Sequence, residues 1–329
     1  KTGKKKIVVA SILAALAMQT ASVIDVAAAV GDQPSAAIAN GSVTSGKTNG
    51  LAIGNFASSG SNQSIAIGYY SVATATEADP ALPATAVGAG ANATGQSTVA
   101  LGLLAQATSG STTALGAKSV ASEDAAVAVG YGTKATGNYA SALGADATAS
   151  NNDATAFGHG TVASGGSSTA LGSRAKAGGT AGVGIGMLAN ATNQYGVAIG
   201  GESSSSADNS IAIGRKSSVT GESGIAIGAF TTSKGANGVA VGTNGTKADL
   251  GGVAVGQAAQ SIAFNSVATG MNVTAKGANS VALGASATAN DDGTIAIGSY
   301  GPTPTTATGN KALAIGSATT ANGLESIAI

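Results

Sequence analysis

The stretch Ser210-Ile211-Ala212-Ile213-Gly214 recurs along the chain with small changes. Aligned on its glycine, it returns as Ile225-Ala226-Ile227-Gly228, Val239-Ala240-Val241-Gly242, Val253-Ala254-Val255-Gly256 and Val281-Ala282-Leu283-Gly284. From Gly88 to Gly298 this glycine comes back every 14 residues, sixteen times without a slip. Gly54, Gly68 and Gly316 bring the series to nineteen, across one step of 20 residues (Gly68 to Gly88) and one of 18 (Gly298 to Gly316). Fourteen residues cannot bury a face alone, so each repeat is one turn of a stacked array. At one strand spacing per turn, nineteen turns predict an all-β rod of roughly 90 Å.

Each repeat reads as two short strands. Counting from the anchor glycine as zero, positions −3 and −1 are mostly Ile, Val, Leu or Thr and share one face of a strand. On this reading residues such as Ile213 and Ile227 point into their own coil. Position −2 is Ala in eighteen of nineteen repeats, with Gly184 the exception. A column that admits only Ala or Gly is pressed against something close, which suggests association of parallel chains around an axis through Ala212 and its equivalents. The second strand covers +3 to +5, with small residues at both ends (Ala105 and Ala107, Ala175 and Ala177). Position +7 favours Gly, Asn or Asp, as at Gly221, Asn193 and Asp291, and reads as a turn residue with positive φ. All five prolines fall outside the regular coils, which indicates that both strands pair above and below.

Composition narrows the function classes. Charged residues are 9% and aromatics 3% of the chain, against an apolar share of 43%, too apolar for disorder despite 51 glycines. Fifteen basic residues balance fifteen acidic ones, so nothing points to nucleic acid or an anionic surface. Without cysteine there is no disulfide framework.

The flanks speak to compartment. Lys4, Lys5 and Lys6 precede an apolar run from Ile7 to Met18, and Ala27-Ala28-Ala29 follows. These are the parts of a secretory signal peptide, and the run is too short to span a bilayer. The expected organisation is a signal remnant at 1–29, an irregular cap at 30–50 and a β-roll at 51–329, with insertions near 76–84 and 300–304 on opposite edges.

Candidate chemistry is sparse. His159 has no second His and no Cys to complete a zinc or nucleophile set and reads as a solvated turn residue. Glu123-Asp124 and Asp291-Asp292-Gly293 resemble calcium-loop fragments, but the turn position varies too much for a calcium-binding repeat. No catalytic, cofactor or metal residue is assigned. Tyr69, Tyr70 and Tyr300 are the candidate ligand contacts, because exposed tyrosines near the insertions suit a partner surface.

Ser-(Ile/Val)-Ala-(Ile/Leu/Val)-Gly on a 14-residue period, alternating with Ala-x-Ala-x-Gly, resembles the YadA-like head repeat of trimeric autotransporter adhesins over residues 51–329. The resemblance implies a left-handed parallel β-roll of two-strand coils, assembled as a parallel homotrimer and displayed on the outer membrane of a Gram-negative bacterium. It further implies non-enzymatic attachment to host matrix, such as collagen, or to a cell-surface receptor. A membrane anchor is expected beyond the C-terminal end. Two other solenoids fit less well: a hexapeptide acyltransferase has the wrong period, and an ice-binding solenoid needs a uniform threonine column. The alternative is a structural spacer rod of a phage or other surface fibre.

Overall fold

The computed structural model describes residues 36–38, 42–43, 49–75, 82–298 and 303–329. The proposed signal remnant, most of the cap, and the cores of both insertions (76–81 and 299–302, with Tyr300) lie outside the described residues. The chain divides into two compact units, up to Asp146 and from Ala147 onward.

Each unit is a parallel β-solenoid without helix among the described residues. In the first unit, three-residue strands such as Val99–Leu101 and Thr113–Leu115 alternate with two-residue strands such as Gln106–Ala107. The second unit repeats the pattern, for example Ile211–Ile213, Ser218–Val219 and Ile225–Ile227. Long strands pair in parallel with long strands one coil on, in strict register: Ile211 with Ile225, Ala212 with Ala226, Ile213 with Ile227. Short strands pair likewise, Ser218 with Thr232. The second strand is therefore shorter than expected, starting at +4. Register survives the first insertion, since Ile65 pairs with Thr85 and Val72 with Asn92.

The core overturns the inside–outside assignment read from sequence. Ala212, Ala226 and the other −2 alanines are buried inside the coil, whereas Ile213 is half-buried and Ile227 is 39% exposed on the outer side of the same strand. The coil around Gly214 closes on Ser210, Ala212, Ser217 and Val219, all buried. The physical reason is flatness. The Ser205 and Ser210 hydroxyls, projecting inward from the two layers, sit 2.6 Å apart. An interior that thin has no room for isoleucine, so Ile and Val are turned outward. Alternation along a strand partitions side chains between two faces without saying which face is inside.

Most buried hydroxyls find a partner, commonly in their own turn, while those of Ser168 and Ser280 have none. At +3, the Ser217 and Ser203 hydroxyls donate to the carbonyls of Gly214 and Gly200 at 2.9 Å. At −4, Ser210 donates to Ala207 and Thr98 to Gly95.

The turns also differ from expectation. In the regular 14-residue coils positive φ falls on the anchor glycine, at +2 and at +9, not at +7: Gly214 is at 125°, Lys216 at 56° and Ser223 at 54°. The left-handed +2 and +9 residues are held by the preceding coil, the Lys216 amide donating to Gly201 O (2.9 Å) and the Ser223 amide to Asp208 O (3.0 Å). Glycine at +7 serves close approach instead. A Cβ on Gly221 would lie 2.0 Å from the carbonyl oxygen of Gly235 in the next coil.

One coil conceals a compensated shift. Lys247 pairs with Thr232 on one side and Gln260 on the other, so the turn after Gly242 is one residue longer and the return turn one residue shorter. Thr246 takes over the inward hydroxyl position, bonding to Thr243 O at 2.9 Å.

Candidate functional site

Two turn edges flank the sheets in the described coils. One, at +1 and +2, joins long strand to short; the other, at +7 to +9, joins short strand back to long. Both carry exposed side chains at the strand spacing, so neighbours along an edge stack in ladders.

Tyr69 and Tyr70 occupy +1 and +2 of the coil anchored at Gly68, in the first unit. Tyr70 stacks on Phe56 one coil earlier, with ring centroids 4.6 Å apart and planes 18° from parallel. Tyr69 meets Tyr70 edge to face at 4.5 Å and Phe56 at 6.1 Å. These are the offset-stacked and T-shaped geometries that aromatic quadrupoles favour. Desolvation within the cluster, followed by the charge and hydrogen bond of the Tyr70 phenol, pushes the Tyr69 hydroxyl above its usual pKa.

The Tyr69 and Tyr70 rings wall a groove of about 270 Å³, lined on the far side by Ala89, Gly90, Leu103 and Leu104. Phe56, Tyr69, Tyr70, Leu103 and Leu104 are all exposed, so the groove is an open apolar surface. Gly90 makes the gap: a Cβ there would lie 2.7 Å from Leu104 Cδ2. Sequence reading named Tyr69 and Tyr70 but missed Phe56, Leu103 and Leu104. Their common turn position in successive coils was the available signal. The described flanks of the first insertion, Ala75 and Leu82, lie in the opposite turn, between short and long strands.

The remaining candidates serve the turns. His159 is exposed at +1 of its coil. The Asp124 carboxylate accepts from the Gly110 amide (3.1 Å) and from the Ser109 hydroxyl. Asp208 accepts from the Gln194 amide (3.2 Å) and Asp292 from the Ala278 amide (2.7 Å), so aspartate at +8 staples its turn to the coil before. Asp291 reaches the Gly309 amide at 2.7 Å. In the second unit the +1/+2 edge is charged, with Lys216 3.5 Å from Glu202 and Arg215 over the Phe230 ring at 4.5 Å.

The periodic coil, small-residue core and glycine-anchored turns match one family pattern, the YadA head domain repeat (2 copies). The match runs over residues 45–76, 83–105, 107–133, 135–161, 163–188, 191–217, 220–244, 275–300 and 307–329. The chain belongs to this family. It is an adhesin head domain built of YadA-head coils. The longest unmatched stretch between matched segments, 245–274, starts inside the coil with the compensated shift, and shorter ones at 77–82 and 301–306 fall on the two insertions. A comparison with curated protein sequences returned no match.

Proposed function

We propose that the chain is the surface-exposed head of a trimeric autotransporter adhesin, a left-handed β-roll that associates in parallel and attaches to host matrix or cells by multivalent, non-enzymatic contacts. One observation carries the reading. Among the described residues the buried side chains are Ala, Ser, Thr and Val, so every large or charged side chain is displayed outside. Such a scaffold stacks recognition positions at regular spacing, and many weak contacts give avidity.

Two outer surfaces divide the work. The outward face of the long strands carries Val99, Leu101, Leu115, Ile227 and Val255, each more than a third exposed. Apolar columns of this kind suit burial against further copies of the chain. The short-strand face remains for ligand, together with the uncharged groove at Tyr69 and Tyr70. Membership of the family supports secretion to the cell surface of a Gram-negative bacterium and a fibrous matrix partner such as collagen.

The test is binding of the purified chain to immobilised matrix protein. Deleting whole coils, for example residues 257–284, should weaken attachment in proportion to length. Undiminished attachment after such deletions, together with loss on removal of residues 76–84, would make the coils a spacer and overturn the distributed reading.

A further inference from the structure

The net charge of zero hides a segregation. The outward long-strand face holds no charged residue at −3 or −1 among the described coils. In the second unit the +1/+2 edge carries Arg174, Arg215 and Lys216 against a single acid, Glu202. Lys216 lies 3.5 Å from that acid, which leaves Arg174 and Arg215 in excess. The opposite edge carries Asp153, Asp208, Glu222, Asp249, Asp291, Asp292 and Glu325 against one base, Lys311, which is itself 3.5 Å from Glu325. One edge is basic and the other acidic.

This bears on how copies meet, and it rests on the self-association just proposed. When copies turn their apolar long-strand faces to a common axis parallel to the stacking direction, rotation brings the +1/+2 edge of one copy beside the +7 to +9 edge of the next. Pure rotation adds no shift along the axis, so residues of the same coil meet. The coil anchored at Gly214 has Arg215 and Lys216 on one edge and Glu222 on the other, all exposed. The first unit repeats the arrangement in the coil anchored at Gly116, with Lys118 facing one way and Glu123 and Asp124 the other. An antiparallel pairing would instead set acidic edge on acidic edge, which complementary interfaces avoid.

We propose that these turn edges are the two halves of a heterologous contact between neighbouring copies, with Arg215 of one copy against Glu222 of the next. The apolar face supplies the adhesion. The edges select the parallel orientation and the axial register. Among the described residues neither Arg215 nor Glu222 has an ion-pair partner within its own chain.

A charge swap on the full chain, read by sedimentation equilibrium at low and physiological salt, tests this. Arg215→Glu and Glu222→Arg should each weaken association about tenfold, and the double variant should recover to within about threefold of the parent. Circular dichroism verifies that each variant keeps its β-structure. If the parent associates while the single variants match it, or the double variant is weaker than either, the edge contact is wrong and association through the apolar face stands. A parent chain that sediments as a single copy at every concentration removes both.

Discussion

A Cβ on Gly184 would lie 2.4 Å from the carbonyl oxygen of Lys176, on the short strand facing it across the coil. Gly184 is the one −2 position without alanine, and the layers there approach too closely for even a methyl group. The interior of this fold is set by backbone proximity more than by side-chain volume.

Gly184→Val should therefore destabilise the protein by about 1–3 kcal/mol, the usual scale of overpacking. Ala212→Leu should act in the same way, on the fold and not on association. Thermal unfolding followed by circular dichroism reads both, and an unchanged midpoint for either would mean that the interior is roomier than described.

Much of this was legible in the sequence. The 14-residue period, the two strands and the parallel stacking all follow from the glycine column and from proline's exclusion from the coils. The sidedness was not legible: Ala212 and Ile213 are assigned to opposite faces by alternation, but only the separation of the layers decides which face is inside. The turn chemistry misled for a related reason. Glycine at Gly221 answers a neighbouring carbonyl, while the left-handed positions are filled by residues as unlike as Lys216 and Ser223. The shift at Gly242 to Gly252 stayed hidden because its two changes cancel within one period. At the candidate site, Tyr69 and Tyr70 stood out as a pair, but their neighbours Phe56 and Leu104 are 14 and 34 residues from Tyr70 and meet it only through stacking.

The Asp124 staple predicts a local effect. Asp124→Ala removes the acceptor for the Gly110 amide and the Ser109 hydroxyl, at a cost of about 0.5–1.5 kcal/mol. Amide exchange at Gly110 should accelerate while that of Ala114, inside the long strand, is unchanged. Equal protection at Gly110 in both proteins would show that water replaces the carboxylate without loss.

The aromatic groove predicts a difference between fold and binding. Phe56, Tyr69 and Tyr70 are all more than half exposed, so Tyr70→Ala should change stability by no more than about 1 kcal/mol, the scale of one aromatic pair. Attachment to the matrix ligand should fall by about tenfold if Tyr70 anchors it, the effect of losing an exposed hot-spot ring. Binding that is unaffected by Tyr70→Ala and by Phe56→Ala would remove the groove from the ligand surface.

The central claim is that the long strands turn alanine inward and their isoleucines outward to meet other copies. The most direct test is the double variant Ile213→Asp, Ile227→Asp, examined by sedimentation equilibrium and circular dichroism. Charges placed on an outward face leave each coil's core untouched, so the β-signal should persist while the protein sediments as a single chain. A variant that loses its β-structure, or keeps it and associates as the parent does, would contradict the account.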